Sequence, residues 1–169
     1  MGKYPEALSF LEKALEMRKK TLPSNHTAIA ASYNDIGLVY NNMDEYSKAL
    51  SFHKKATEIR EVILPANHPE LATSYNNIGE VYTKMEKYSR ALSYFEQALE
   101  IRKKILPSDH PDLAESYNNI GETYDEMGEY SMALSFYERT VEIGQSSLPP
   151  NHPRLQEYKR NIESVRKKL

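Results

Sequence analysis

The sequence predicts an all-α protein, a right-handed α-solenoid of about eight helices stacked as antiparallel hairpins. Three observations carry that expectation: an internal period of 42 residues, prolines gathered at one place in each period, and apolar residues at helical spacing between them. Leu22-Pro23, Leu64-Pro65, Leu106-Pro107 and Leu148-Pro149 recur at that interval, as do His26, His68, His110 and His152. Residues 65–106 laid on 107–148 give 23 identities in 42 positions without a gap. A period of roughly 20 to 50 residues marks a stack of like units, none of which buries its apolar face alone.

The elements follow from punctuation. Eight of the nine prolines lie in the LPxxHP joints, where a missing N–H is harmless and helix continuation is blocked. Pro69, Pro111 and Pro153 stand at the first turn of the next apolar-periodic run, and Pro5 opens another helix in the same way. Between joints the spacing predicts a first helix over 69–84, a turn at Met85-Glu86-Lys87 and a second helix over 88–105, repeated 42 residues to either side. Residues 2–22 match the second helix only, 23–64, 65–106 and 107–148 are full repeats, and 149–169 hold a terminal first-type helix. The whole of 1–169 reads as one solenoid domain.

In the first helix Tyr75, Ile78, Gly79 and Tyr82 fall at i, i+3, i+4, i+7 and share one stripe. A glycine inside a helix costs about 1 kcal/mol against alanine, so its return as Gly37, Gly79 and Gly121 implies a close neighbour. That neighbour is the second helix, whose Ala91, Leu92, Phe95, Ala98 and Leu99 form its own apolar stripe. The ends differ. Lys159, Glu163 and Arg166 replace Tyr117, Gly121 and Tyr124, as expected of a solvated cap. Leu8, Leu11, Ala14 and Leu15 keep the packing pattern with no preceding helix to cover them, which points to an array continuing upstream or to self-association through residues 1–22.

Tyr75-x2-Ile78-Gly79-x2-Tyr82 followed by Ala91-x3-Phe95 resembles the tetratricopeptide pattern W-x2-L-G-x2-Y…A-x3-F, with tyrosine for tryptophan. Tyr33, Ile36, Gly37, Tyr40 and Ala49 match in one neighbour, and Tyr117, Ile120, Gly121, Tyr124 and Ala133 in the other. The longer period, with ALEIRKKILPSDHPDLAESYNNIG, is similar to the repeats of kinesin light chains. The resemblance implies a protein–protein interaction scaffold.

Composition narrows the function. No cysteine is present, which removes disulfides, thiolate metal sites and cysteine nucleophiles. With 22 Lys+Arg against 24 Asp+Glu the net charge is −2, so nothing drives nucleic-acid or membrane-surface binding. Uncharged runs fall far short of the roughly 20 residues of a bilayer span, and the N-terminal residues lack a signal-peptide core, so a cytoplasmic location is expected. Equivalent histidines on stacked repeats stand at least about 8 to 10 Å apart, too far for a shared metal ion, and are read as caps at helix entrances. His53 replaces an aromatic and is read as a packing residue, as are most of the 13 tyrosines. The clusters Arg18-Lys19-Lys20, Arg102-Lys103-Lys104 and Arg166-Lys167-Lys168 are read as solvated helix ends. No Gly-rich phosphate loop, GxSxG elbow or HExxH is present, so neither an enzyme nor a cofactor is expected.

The remaining face of the first helices is the candidate site. Thr73, Asn76, Glu80 and Thr83 lie about 80° to 160° around from Tyr75. Their copies are Ala31, Asn34, Leu38 and Asn41, then Glu115, Asn118, Glu122 and Asp125. In tetratricopeptide arrays this surface lines the concave groove that takes an extended peptide. By that resemblance Asn34, Asn76 and Asn118 form a ladder of amides, each able to donate and accept against a peptide backbone. The alternative is hydrogen bonding between repeats, with Asn77 and Asn119 as the bracing residues. Chaperone-binding members carry a lysine one turn before an asparagine on this stripe; the corresponding residues here are Asn76 then Glu80, and Asn118 then Glu122, so that activity is not implied. Glu80, Glu115, Glu122 and Asp125 make the later groove acidic and favour a neutral or basic protein or peptide ligand, while Leu38 offers an apolar spot. The acidic stripe departs from the preference of kinesin light chains for an aromatic residue flanked by acids. The competing function is a structural spacer or self-association module without a peptide ligand.

Overall fold

A computed structural model describes residues 3–169. Eight helices run in order: α1 (Tyr4–Thr21), α2 (Thr27–Asn42), α3 (Tyr46–Ile63), α4 (Pro69–Lys84), α5 (Tyr88–Ile105), α6 (Pro111–Glu126), α7 (Tyr130–Ser147) and α8 (Pro153–Arg166). No strand occurs among the described residues. Helices α2 and α3, α4 and α5, and α6 and α7 form hairpins, and each second helix packs on the first helix of the next repeat. The result is the α-solenoid that the period predicts.

Each joint is built by local chemistry. The residue before a proline is pushed toward extended backbone, and Leu22, Leu64, Leu106 and Leu148 adopt it, ending α1, α3, α5 and α7. Three residues after each such proline a histidine opens the following helix. Nδ1 of His26, His68, His110 and His152 accepts a backbone N–H two residues on, at 3.1–3.2 Å. Imidazole thus fills the role usually taken by serine or aspartate, satisfying one of the free N–H groups of the first turn.

The hairpin turns are equally regular. Lys87 N–H donates to Tyr82 C=O and Glu86 N–H to Thr83 C=O, the pair of bonds that closes a helix through a left-handed residue. Asp44 (φ 58°), Glu86 (φ 57°) and Gly128 (φ 78°) occupy that position in successive turns, and only the third copy has the residue suited to it.

Inside each hairpin the helices meet at the predicted glycine. A Cβ on Gly79 would stand 2.6 Å from the Phe95 ring, on Gly37 2.8 Å from the His53 ring and on Gly121 2.9 Å from the Tyr137 ring. Beside this seam Tyr94 packs against two tyrosines of its partner helix, tilted on Tyr75 at 6.2 Å and stacked on Tyr82 at 5.6 Å. Phe52 and Phe136 repeat the arrangement with Tyr33 and Tyr40, and with Tyr117 and Tyr124. Offset aromatic contacts of this kind add about 0.5–1.5 kcal/mol each beyond area burial.

The two ends differ in chemistry. Phe10 occupies the place of Phe52, Tyr94 and Phe136 but has no tyrosine pair, and it is 73% exposed; Met17, about two turns along, is 69% exposed. Leu8 and Leu15 are buried, whereas Leu11 and Ala14 are half-buried. At the other end Leu155, Tyr158 and Val165 of α8 are buried, while Glu163 and Arg166 face water and Lys159 is half-buried.

Polar bonds cross every repeat boundary up to α6, and here the solvated-end reading of the basic clusters needs correction. Arg18 turns inward to Ser32, Arg60 to Ser74 at 2.7 Å and Arg102 to Ser116 at 2.7 Å. Arg60 is buried and also stands 3.1 Å from the Glu70 carboxylate. At the α7–α8 boundary Gly144 and Tyr158 take the places of arginine and serine, and the bond gives way to an apolar contact.

Two outcomes follow for stability. Gly79→Ala gains helix propensity of about 1 kcal/mol but drives its Cβ into a buried ring, so denaturant unfolding should show a net loss of about 1–3 kcal/mol. His53 is 1% exposed, neither ring nitrogen has a hydrogen-bond partner, and burial, with the nearby Arg60 charge, pushes its pKa down to about 4. The unfolded chain binds a proton near pH 6.5 and the folded chain only near 4, so stability present above pH 6.5 is lost as the pH falls through that window. His53→Phe, which copies Phe95, removes the group. The difference between variant and parent in unfolding free energy should grow in favour of the variant by about 2–3 kcal/mol between pH 7 and pH 4.

Candidate functional site

The predicted groove residues lie on α2, α4 and α6, on the face that the glycine seam leaves free. The structure joins the asparagines to one another. Asn77 Nδ2 donates to Asn34 Oδ1 at 2.9 Å, Asn119 to Asn76 at 3.0 Å and Asn161 to Asn118 at 3.1 Å. Each boundary uses the first asparagine of one repeat as acceptor and, at the next repeat, the residue one position further on as donor. Both members of each pair therefore brace the boundaries, the alternative role that the sequence leaves open for the ladder. Asn76 and Asn118 are only 6% and 7% exposed.

The same two amides also hold carboxylates. Asn76 Nδ2 donates to Glu80 Oε1 and Asn118 Nδ2 to Glu122 Oε1, both at 2.7 Å. A chain of donors thus runs from Asn119 through Asn76 to Glu80, and from Asn161 through Asn118 to Glu122. Burial raises the pKa of both carboxyls, with the amide bond acting against it. In the first repeat Leu38 stands where the glutamate would be, and the chain stops at Asn34. Leu38 itself is 39% exposed.

The acidity of the later groove is less than the residue types suggest. Asp125 is paired with Lys168 at 2.7 Å and Glu115 with Arg154 at 3.4 Å, both cations belonging to the C-terminal segment. Glu80 and Glu122 remain as the carboxylates facing the groove's middle.

Between α4 and α6 these residues enclose a cleft of about 220 Å³. Asn41, Glu80, Thr83 and Glu122 line it, so four of the nine predicted site residues converge there. Asn34, Asn76 and Asn118 serve the repeat boundaries, Leu38 lies apart on the open face, and Asp125 is tied to the cap. The Asn41 side-chain oxygen is buried and accepts no hydrogen bond. Of the other lining residues, Asn119 was read as a bracing residue, and Lys84, Phe95 and Thr123 were missed from sequence. Phe95 was assigned wholly to the seam, yet a ring can close a seam on one face and floor a cleft on the other. Lys84 stands where the neighbouring repeats have Asn42 and Glu126, and that variation within a regular array was the available signal.

Among the described residues no helix is long and apolar enough to cross a membrane, and no three His, Cys, Asp or Glu side chains are grouped to hold a metal ion.

No curated protein sequence matches the chain. Solved structures do. An assigned kinesin light chain of Podosopora anserina with nearly identical TPR-like repeats superposes with a TM-score of 0.86 at 23% identity, covering 99% of this chain and 79% of that one. BtubC (BKLC) of P. vanneervenii gives 0.89 at 24% identity, over 99% and 66% of the two chains. The apo form of RapI gives 0.84 at 21%, over 98% and 58%. At these identities the likeness is one of fold. The sequence model for the tetratricopeptide repeat matches residues 1–61, 37–104 and 70–146, overlapping along nearly all of the array. With the hairpin geometry, the glycine seam and this match in agreement, the chain belongs to the tetratricopeptide-repeat family.

Proposed function

We propose that this protein is a non-catalytic scaffold that holds a linear peptide or a partner helix in the groove formed by α2, α4 and α6. Tetratricopeptide arrays are in general protein–protein interaction scaffolds, and the observation that carries the finer reading is the cleft between α4 and α6. Its wall presents a buried carbonyl without a donor and two carboxylates that their neighbours orient, an arrangement of acceptors in want of donors. Leu38, further along the same face, supplies an apolar contact for a second ligand residue. With Asp125 and Glu115 already paired, the middle of the groove rather than its far end favours a neutral to basic ligand.

The second reading, a spacer or self-association module, is favoured by the exposed Phe10 and Met17 of α1. One experiment separates the two. Peptides are selected from a random display library on the full chain and their affinity measured on Leu38→Glu/Thr83→Arg, with Val62→Glu on an exposed site as control. The groove reading expects the double variant to weaken binding at least about tenfold, or about 1.4 kcal/mol, with no change in the control. Binding indifferent to the groove variant would refute it. Failure to recover any peptide, joined to sedimentation as a dimer that Phe10→Glu dissociates, would favour self-association instead.

A further inference from the structure

We propose that the cleft between α4 and α6 receives the side chain of a lysine or arginine carried by the groove's ligand. The inference rests on the groove reading above and adds what the central subsite selects.

Size comes first. A volume of about 220 Å³ holds about seven waters at roughly 30 Å³ each. It falls below the roughly 300–1,000 Å³ of cofactor and small-molecule pockets. One long side chain is the natural occupant.

The wall then selects its chemistry. Asn41 Oδ1 is buried and unpaired. Glu80 and Glu122 each accept an amide bond on one oxygen, from Asn76 and Asn118, and keep the other for a guest. The Thr83 hydroxyl spends its proton on Gly79 C=O and can only accept. Asn41 Oδ1, the second oxygens of Glu80 and Glu122 and the Thr83 oxygen are all acceptors, and their complement is a group made of donors. Lysine has three and arginine five, and neither carries an acceptor. Phe95 lines the cleft and gives the methylene stem an apolar ring to lie against.

The combination occurs once in the array. At the place of Glu80 the first repeat has Leu38, and at the place of Glu122 the last helix has Ser164, so neither neighbouring boundary brings two glutamates together. Lys84 is the cleft's own cation. It stands exposed at the rim, where it opposes entry of a second positive charge.

The test is a titration of the full chain, followed by backbone amide NMR, with Nα-acetyl-lysine N-methylamide and the matching arginine and norleucine compounds. The lysine and arginine probes should shift signals around Thr83, Asn119 and Glu122, while norleucine, with a similar stem and no charge, should not. Glu80→Gln/Glu122→Gln keeps an oxygen for each asparagine to bond, so its circular dichroism should be unchanged, yet lysine affinity should fall about tenfold. Lys84→Ala should raise it. Equal shifts from norleucine, no shift from lysine, or lysine shifts that persist in the double glutamine variant would each overturn the proposal. The two readings fail separately. Lysine binding confined to the cleft in a chain that selects no peptide would sink the groove reading and leave only the cleft's selectivity for a basic side chain standing. Groove peptides that lack basic residues and ignore the glutamine variant would do the reverse.

Discussion

The hydrogen bond from an asparagine of one repeat to an asparagine of the repeat before it is the contact on which the stacking of the repeats, and with it the proposed groove, depends. Apolar burial presses neighbouring hairpins together but tolerates sliding, since one aliphatic contact replaces another at little cost. A buried carboxamide is less forgiving, because a shift that breaks its bond leaves the group desolvated and unpaired at about 1–3 kcal/mol. Asn76 and Asn118 are both buried and both bonded across a boundary, so they specify how one hairpin stands on the next. The Arg102–Ser116 bond fixes the Asn76–Asn119 boundary from the end of its second helix, and the Arg60–Ser74 bond does the same for the boundary that Asn34 and Asn77 bridge.

The same amides connect the architecture to the proposed recognition. Each accepts from the next repeat and donates to a glutamate one turn along its own helix, so the spacing between repeats and the aim of the carboxylate are set by one side chain. In the proposed groove, Glu80 and Glu122 held in place before a ligand arrives would spare the ordering cost that a mobile side chain meets on binding. Burial that raises their pKa marks the same desolvation that would make a charge-assisted bond there stronger than on an open helix face.

Helix limits were legible in the sequence because their causes are local. The leucine held extended before a proline, the histidine that caps the next helix and the glycine that admits a ring are each decided within a few residues, and the period carries the reading to every copy. What escaped are contacts set by how one repeat sits on another. The asparagine pairs join residues 43 apart, one more than the period, so a ladder of equivalent positions hid the true partners. Arg18 and Arg102 sit in basic runs that read as solvated ends, and only the approach of the following helix turns them inward. Asp125 and Glu115 lost their free charge to a cap that the sequence showed as merely polar.

The most direct test is a double-mutant cycle on the inter-repeat pair, with Asn76→Ala, Asn119→Ala and the combination compared by denaturant unfolding. Loss of the Asn76–Glu80 bond is common to both arms and cancels. If the asparagines hold one repeat against the next, the two losses will fall short of adding by about 0.5–1.5 kcal/mol. Full additivity would show that the bond contributes nothing, and that the groove takes its form from apolar packing alone.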